Sequence, residues 1–137
     1  MSEPFTFRAS DDELERLRRR LNESIVPDPT PGAHGMPMRT LQRLLDRWRD
    51  DFDWRAVEAR LLAHDHRVAT IDGTRVHFVH LRGGQPGRLP IVLSHGWPYS
   101  FAEMLPLAEA LRGELDVVIP SLPGFGWSEP LAEPFTD

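Results

Sequence analysis

Two short apolar runs, Ile91-Val92-Leu93 and Val117-Val118-Ile119, flank a segment of helical periodicity, and this arrangement restricts the fold more than any other feature of the chain. Each run is too short for a helix and apolar at successive positions, the pattern of a strand covered on both faces. Between them, Phe101, Met104, Leu105, Ala108 and Leu111 recur on one helical face, and Gly113 stands as a stop. Ser100 and Glu103 have the spacing of a capping box, while Pro106 is expected to kink the helix or to mark a restarted first turn. Strand, helix and strand within about thirty residues make one crossover unit whose two strands are parallel.

Before residue 67 the periodicity is helical, and after it extended. Arg67 to Ile71 and Thr74 to Leu81 alternate about Asp72-Gly73, a strong short hairpin signal. Gly83-Gly84-Gln85-Pro86-Gly87 then turns the chain into the first apolar run. Upstream, Ser10 and Glu13 can cap each other ahead of Leu14, Leu17 and Leu21, which predicts a helix over about residues 10–22. Leu41, Leu44, Leu45, Trp48 and Phe52 form a second helical stripe. A third helix starts at Asp53 as N-cap, with Trp54, Val57 and Leu61 on one face; Trp48 and Trp54 are read as core packing. Val26 to Pro37 holds four prolines and two glycines and reads as an irregular strap. The expected organisation is thus helices over 1–66, then a hairpin feeding a parallel sheet over 67–137.

Composition closes several alternatives. A chain of 137 residues fits one ordinary domain, although a larger architecture would make it only part of the whole. No cysteine is present, which excludes disulfides, a thiol nucleophile and thiolate zinc; all 16 basic residues are arginine, which excludes a catalytic lysine and a P-loop. The 21 acidic residues give a net charge of −5, against nucleic-acid binding. The N-terminal residues lack a leader pattern and no apolar stretch approaches membrane-spanning length, so a soluble, cytoplasmic protein is expected. No metal site is expected. His77 and His80 point to opposite faces of a strand, His64 and His66 diverge at a helix end, and H-E-x-x-H is absent. Gly124-Phe125-Gly126 lacks the third glycine of a dinucleotide fingerprint, because Glu129 stands there, and no G-x-S-x-G elbow occurs. No cofactor is implied.

The segment Ser94-His95-Gly96-Trp97-Pro98-Tyr99-Ser100 follows the first apolar run and precedes the helix. Ligands of open parallel sheets bind at the carboxyl ends of strands, so this is a favourable place for a site. Gly96 permits close approach, and Pro98 stiffens the turn. Two readings of the residues stand side by side. In one, the Trp97 N–H is an oxyanion donor; in the other, this is a tight strand-to-helix turn with Trp97 filling an apolar gap.

His95-Gly96-Trp97-Pro98 resembles the HGxP motif of epoxide hydrolases of the α/β-hydrolase fold. Pro120-Ser121-Leu122-Pro123-Gly124-Phe125-Gly126-Trp127-Ser128 is similar to the P-S-L-P-G-[FY]-G-[FW]-S segment of the same family. Asp53-Trp54-Arg55, and Ile71-Asp72-Gly73 leading into His77-Phe78-Val79-His80, resemble the N-terminal meander of the microsomal-type branch. HGxP alone would also suit haloalkane dehalogenases; the N-terminal helices and the D-W-R segment favour the epoxide hydrolases. The resemblance implies an α/β chain: a helical meander, then the hairpin and one βαβ unit of a truncated α/β-hydrolase sheet.

It also implies a chemistry. In the family an Asp carboxylate opens the epoxide to an ester, a His-activated water hydrolyses that ester to the diol, and two lid tyrosines polarise the ring oxygen. Here the resemblance assigns the Trp97 N–H to the oxyanion hole, with His95, Gly96 and Pro98 supporting the motif. Tyr99 departs from the glycine usual in microsomal-type relatives and does not match a lid tyrosine. The nucleophile, lid tyrosines and base histidine match no position of this sequence. Asp53, Asp72 and Asp116 read instead as a helix cap, a turn residue and a strand start, and Asp137 is the last residue. The implied ligand is a small hydrophobic epoxide, such as those met in aromatic hydrocarbon catabolism. The isolated chain is expected to be inactive, and to self-associate or pair with a complementing C-terminal part because the Ile91 strand would lack a neighbour. The alternative is a non-catalytic binding or assembly module derived from the same fold.

Overall fold

Local sequence signals become hydrogen bonds at most of the expected places. The computed structural model describes residues 1–27, 35–83, 87 and 89–132; much of the Val26–Pro37 strap, part of the Gly83–Gly87 turn and Asp137 lie outside them. The described residues fall into two compact units, Met1–Phe7 with Ala59–Asp137, and Arg8–Glu58. Among the described residues no helix is long and apolar enough to cross a membrane.

In the helical unit, α1 (Asp11–Asn22) begins with the reciprocal capping box: Ser10 Oγ accepts the Glu13 N–H and Glu13 Oε2 accepts the Ser10 N–H. The second helix, α2 (Met38–Asp50), carries the predicted stripe, but none of its residues is buried. Trp48 is 46% exposed, so it is not the core residue expected. α3 (Trp54–Leu62) is capped by Asp53, whose Oδ1 accepts the Ala56 N–H. The D-W-R segment is a structural knot. Glu58 is buried and accepts hydrogen bonds from the Ala9 N–H, Trp54 Nε1–H and Arg55, while Arg55 also reaches the Ala9 carbonyl and Asp11. Foremost the Ala9 amide, then Arg55 and Trp54, hold the Glu58 carboxyl below its usual range against the opposing effect of burial.

The second unit is a five-stranded sheet of β1 (Ser2–Pro4), β2 (Asp65–Ile71), β3 (Thr74–Leu81), β4 (Ile91–Val92) and β5 (Val117–Pro120), ordered β1-β2-β3-β5-β4. Asp72 (φ 48°) and Gly73 (φ 81°) are both left-handed, as a two-residue hairpin turn requires, and set the register Ile71 opposite Thr74. β3 pairs antiparallel with β5, and β5 alone joins β4 in parallel, so the sheet is mixed. β1 had no signature in the sequence; it adds antiparallel to β2. β2 begins at Asp65, which puts His66 on a strand rather than at the end of a helix.

The core lies on one sheet face. Val79, Leu81, Val117 and Ile119 alternate inward and meet Phe101, Leu105 and Ala108 of α4 (Phe101–Leu111). α4 is one continuous helix through Pro106 rather than a restarted one. Its expected capping box does not form: the Glu103 N–H bonds the Ser100 carbonyl instead of the Ser100 hydroxyl. β4, expected as a strand covered on both faces, is an edge strand with Val92 65% exposed.

Candidate active-site turn

β4 delivers the chain to the turn by its carboxyl end, where the Leu93 N–H still bonds the Val118 carbonyl. The backbone then reverses over Gly96–Tyr99: the Trp97-Pro98 bond is cis and the Tyr99 N–H closes on the Gly96 carbonyl at 2.9 Å. The Trp97 indole is 81% exposed and fills no gap. Among the described residues no acceptor takes the Trp97 N–H. A Cβ built on Gly96 meets nothing within 4 Å, so the space beside the turn is open. Tyr99 is also exposed, with its ring outside the core.

His95 locks this turn from behind. It is buried, and its Nε2 accepts the Leu122 N–H at 3.1 Å, which makes Nδ1 the protonated nitrogen, facing the Gly96 carbonyl at 3.3 Å. Its ring meets Phe125 edge-on at 5.4 Å. The HGxP turn and the Pro120–Ser128 loop are therefore one hydrogen-bonded assembly. Within that loop Gly124 (φ 80°) and Gly126 (φ 54°) are left-handed, and a Cβ on Gly126 would lie 2.6 Å from Ser121 Oγ. Ser128 Oγ accepts the His77 N–H and donates to the Ser121 carbonyl, which clasps both ends of the loop to β3. Trp127 stacks on Phe7 at 3.9 Å and roofs the imidazoles of His66 and His77.

The remaining candidates have structural roles. Asp53 caps α3, Asp72 occupies the hairpin turn, and Asp116 Oδ1 accepts the Gly83 N–H. His77 faces the core while His80 lies on the other side, 3.7 Å from Asp116; His64 is near Glu109. Among the described residues no group of three or more His, Cys, Asp or Glu is placed to hold a metal ion. The buried pairing of His66 with His77 escaped the sequence reading. Its signal was present: His77 shares its alternation with Val79 and Leu81, and His66 shares its own with Val68.

The family described as epoxide hydrolase N terminus matches residues 2–104. Epoxide hydrolase 1 of Oryctolagus cuniculus is 32% identical over 143 residues, covering 92% of this chain and 31% of its own. Juvenile hormone epoxide hydrolase 2 of Ctenocephalides felis is 31% identical over 144 residues, covering 96% and 31%. The solved structure of Aspergillus niger epoxide hydrolase superposes with a TM-score of 0.88 at 32% identity, over 98% of this chain and 39% of that one. The chain spans about a third of the length of the curated relatives it matches. Its helices and mixed sheet correspond to the N-terminal part of their α/β-hydrolase fold, and the chain belongs to the epoxide hydrolase N-terminal family.

Proposed function

We propose that this chain contributes the oxyanion turn of an epoxide hydrolase, with the Trp97 N–H as donor, and that the activity belongs to the complete family fold. The observation carrying this reading is the unclaimed Trp97 amide at the carboxyl end of β4, in a turn held from behind by His95. In the family's chemistry an Asp carboxylate attacks an epoxide carbon, the C–O bond breaks, and the ring oxygen is protonated under the lid tyrosines. Water, deprotonated by a histidine, then adds to the ester carbonyl. Negative charge grows on that carbonyl oxygen, and a fixed N–H aimed at it is worth about 3 kcal/mol. The substrate is a small hydrophobic epoxide, and the reaction needs neither metal nor cofactor.

Asp53, Asp72 and Asp116 are committed to a cap, a turn and a loop amide, so the isolated chain should form no diol from styrene oxide. Turnover by the 137 residues alone, abolished by Asp53→Asn or Asp72→Asn, would overturn the reading. On a polypeptide that also carries the G-x-D-x-G elbow, Trp97→Phe keeps the donor and should keep kcat. Trp97→Pro removes the donor and should lower kcat about a hundredfold or more. The second reading is a non-catalytic binding or assembly module, for which the open edge of β4 and its exposed Val92 would be the contact. A downstream reading frame encoding the elbow would decide for the enzyme.

A further inference from the structure

Beneath the turn runs a line of buried polar groups whose polarity is set from one end. A carbonyl only accepts, so the 2.8 Å contact between the Leu61 carbonyl and His66 Nε2 makes Nε2 the protonated nitrogen of a neutral His66. His66 Nδ1 must then accept, at 2.9 Å, from His77 Nε2–H. His77 Nδ1 in turn accepts the Ser121 hydroxyl proton at 2.8 Å. The next residue along the chain, Leu122, donates its N–H to His95 Nε2, and His95 faces the Gly96 carbonyl that closes the turn. Each member of this line is satisfied; among the described residues no buried side-chain nitrogen or oxygen lacks a partner.

The packing makes the line rigid. His66, His77, His95 and Ser121 are all buried, and the imidazole pair, bonded edge to edge with ring centres 5.2 Å apart, lies among Phe7, Phe101 and Trp127. The Ser121 hydroxyl occupies the space that a Cβ on residue 126 would need, so glycine at that position keeps room for it. Two imidazoles and a serine are a costly way to fill an apolar core, since each must be fully hydrogen-bonded to be tolerated there. Isosteric apolar residues would fill the volume but would not orient Ser121.

We infer that His66, His77 and Ser121 are positioning residues, which act through Leu122 and His95 to fix the Gly96–Tyr99 turn and the direction of the Trp97 N–H. The inference rests on the oxyanion reading for its purpose but not for its geometry. It assigns the three residues no contact with substrate.

Both ends of the line contain an N–H···N bond, so nitrogen-15 NMR on the 137-residue chain can observe them directly through scalar coupling across the hydrogen bond. The expected result is a coupling between His77 Nε2 and His66 Nδ1 and another between the Leu122 amide nitrogen and His95 Nε2. His66 and His77 should be Nε2–H tautomers and His95 the Nδ1–H tautomer. Ser121→Ala should weaken the Leu122–His95 coupling and shift the Trp97 amide, while the Glu13 amide in the helical unit stays in place. Ser121→Cys, similar in shape and a weaker donor, should give a smaller change in the same direction, and serves if the alanine variant does not fold. Absence of either coupling in the wild type, or an unchanged Leu122–His95 coupling and Trp97 amide in the variants, overturns the inference. Failure of the oxyanion reading shows elsewhere, as turnover indifferent to loss of the Trp97 N–H, and leaves these spectra as they are.

Discussion

Acidification should destabilise the sheet unit through the His66–His77 pair. Burial pushes the His77 imidazole from its ordinary 6.5 down to about 4, with His66 beside it acting in the same direction. Burial also lowers His66, partly offset by its bond to the Leu61 carbonyl. In the unfolded chain an imidazole takes up its proton near pH 6.5, whereas the folded His77 refuses it until about pH 4. Stability is therefore complete above pH 6.5 and lost as the pH falls through the window down to pH 4. Linkage gives a loss of about 2 kcal/mol by pH 5 and about 3 kcal/mol by pH 4 for this one residue. Against the roughly 5–15 kcal/mol that holds a domain together, the effect is large. Glu13 and Glu58, whose carboxyls are held below 4.5 by their amide and side-chain donors, lose their contributions only below that pH, which keeps the two windows apart. Urea unfolding followed by tryptophan fluorescence, at pH values from about 7.5 to 5, should show the midpoint falling by about 1–2 M at the slopes usual for small domains. A midpoint that stays level across this range refutes the reasoning. So does an equal fall in His77→Gln, since the titrating group would then lie elsewhere.

Two glycines offer a paired test. Gly126→Ala introduces a Cβ 2.6 Å from Ser121 Oγ at a positive φ and should cost about 2–3 kcal/mol by urea denaturation, whereas Gly96→Ala points into open space and should cost less than about 0.5 kcal/mol. β4 leaves its outer edge unpaired with Val92 exposed, so the isolated chain should self-associate in light scattering, and Val92→Lys should shift it toward monomer; a monodisperse wild-type monomer that unfolds cooperatively would contradict this.

What the residues dictate by themselves is whatever neighbours a few positions apart can decide. The Ser10–Glu13 box, the Asp72-Gly73 turn, the Asp53 cap and the α4 face all formed because each depends on groups within a turn or two of chain. The motif segments were legible for the same reason, being contiguous. Ser100 shows where such reading ends: its spacing suits a cap, but a competing backbone bond had already claimed the donor.

Only the tertiary structure decided the rest. The insertion of β5 between β3 and β4 and the addition of β1 to β2 depend on pairings between distant strands, which leave no periodicity in the chain. Ser128 clasps His77 from 51 residues away, and Leu122 reaches His95 across 27. A buried polar side chain looks the same in a sequence as an exposed one, because what makes burial tolerable is a partner, and the partner is supplied by the fold. In the sequence His66 reads as a helix end and His77 as a strand position; the register of β2 on β3 sets their ring nitrogens 2.9 Å apart beside Trp127.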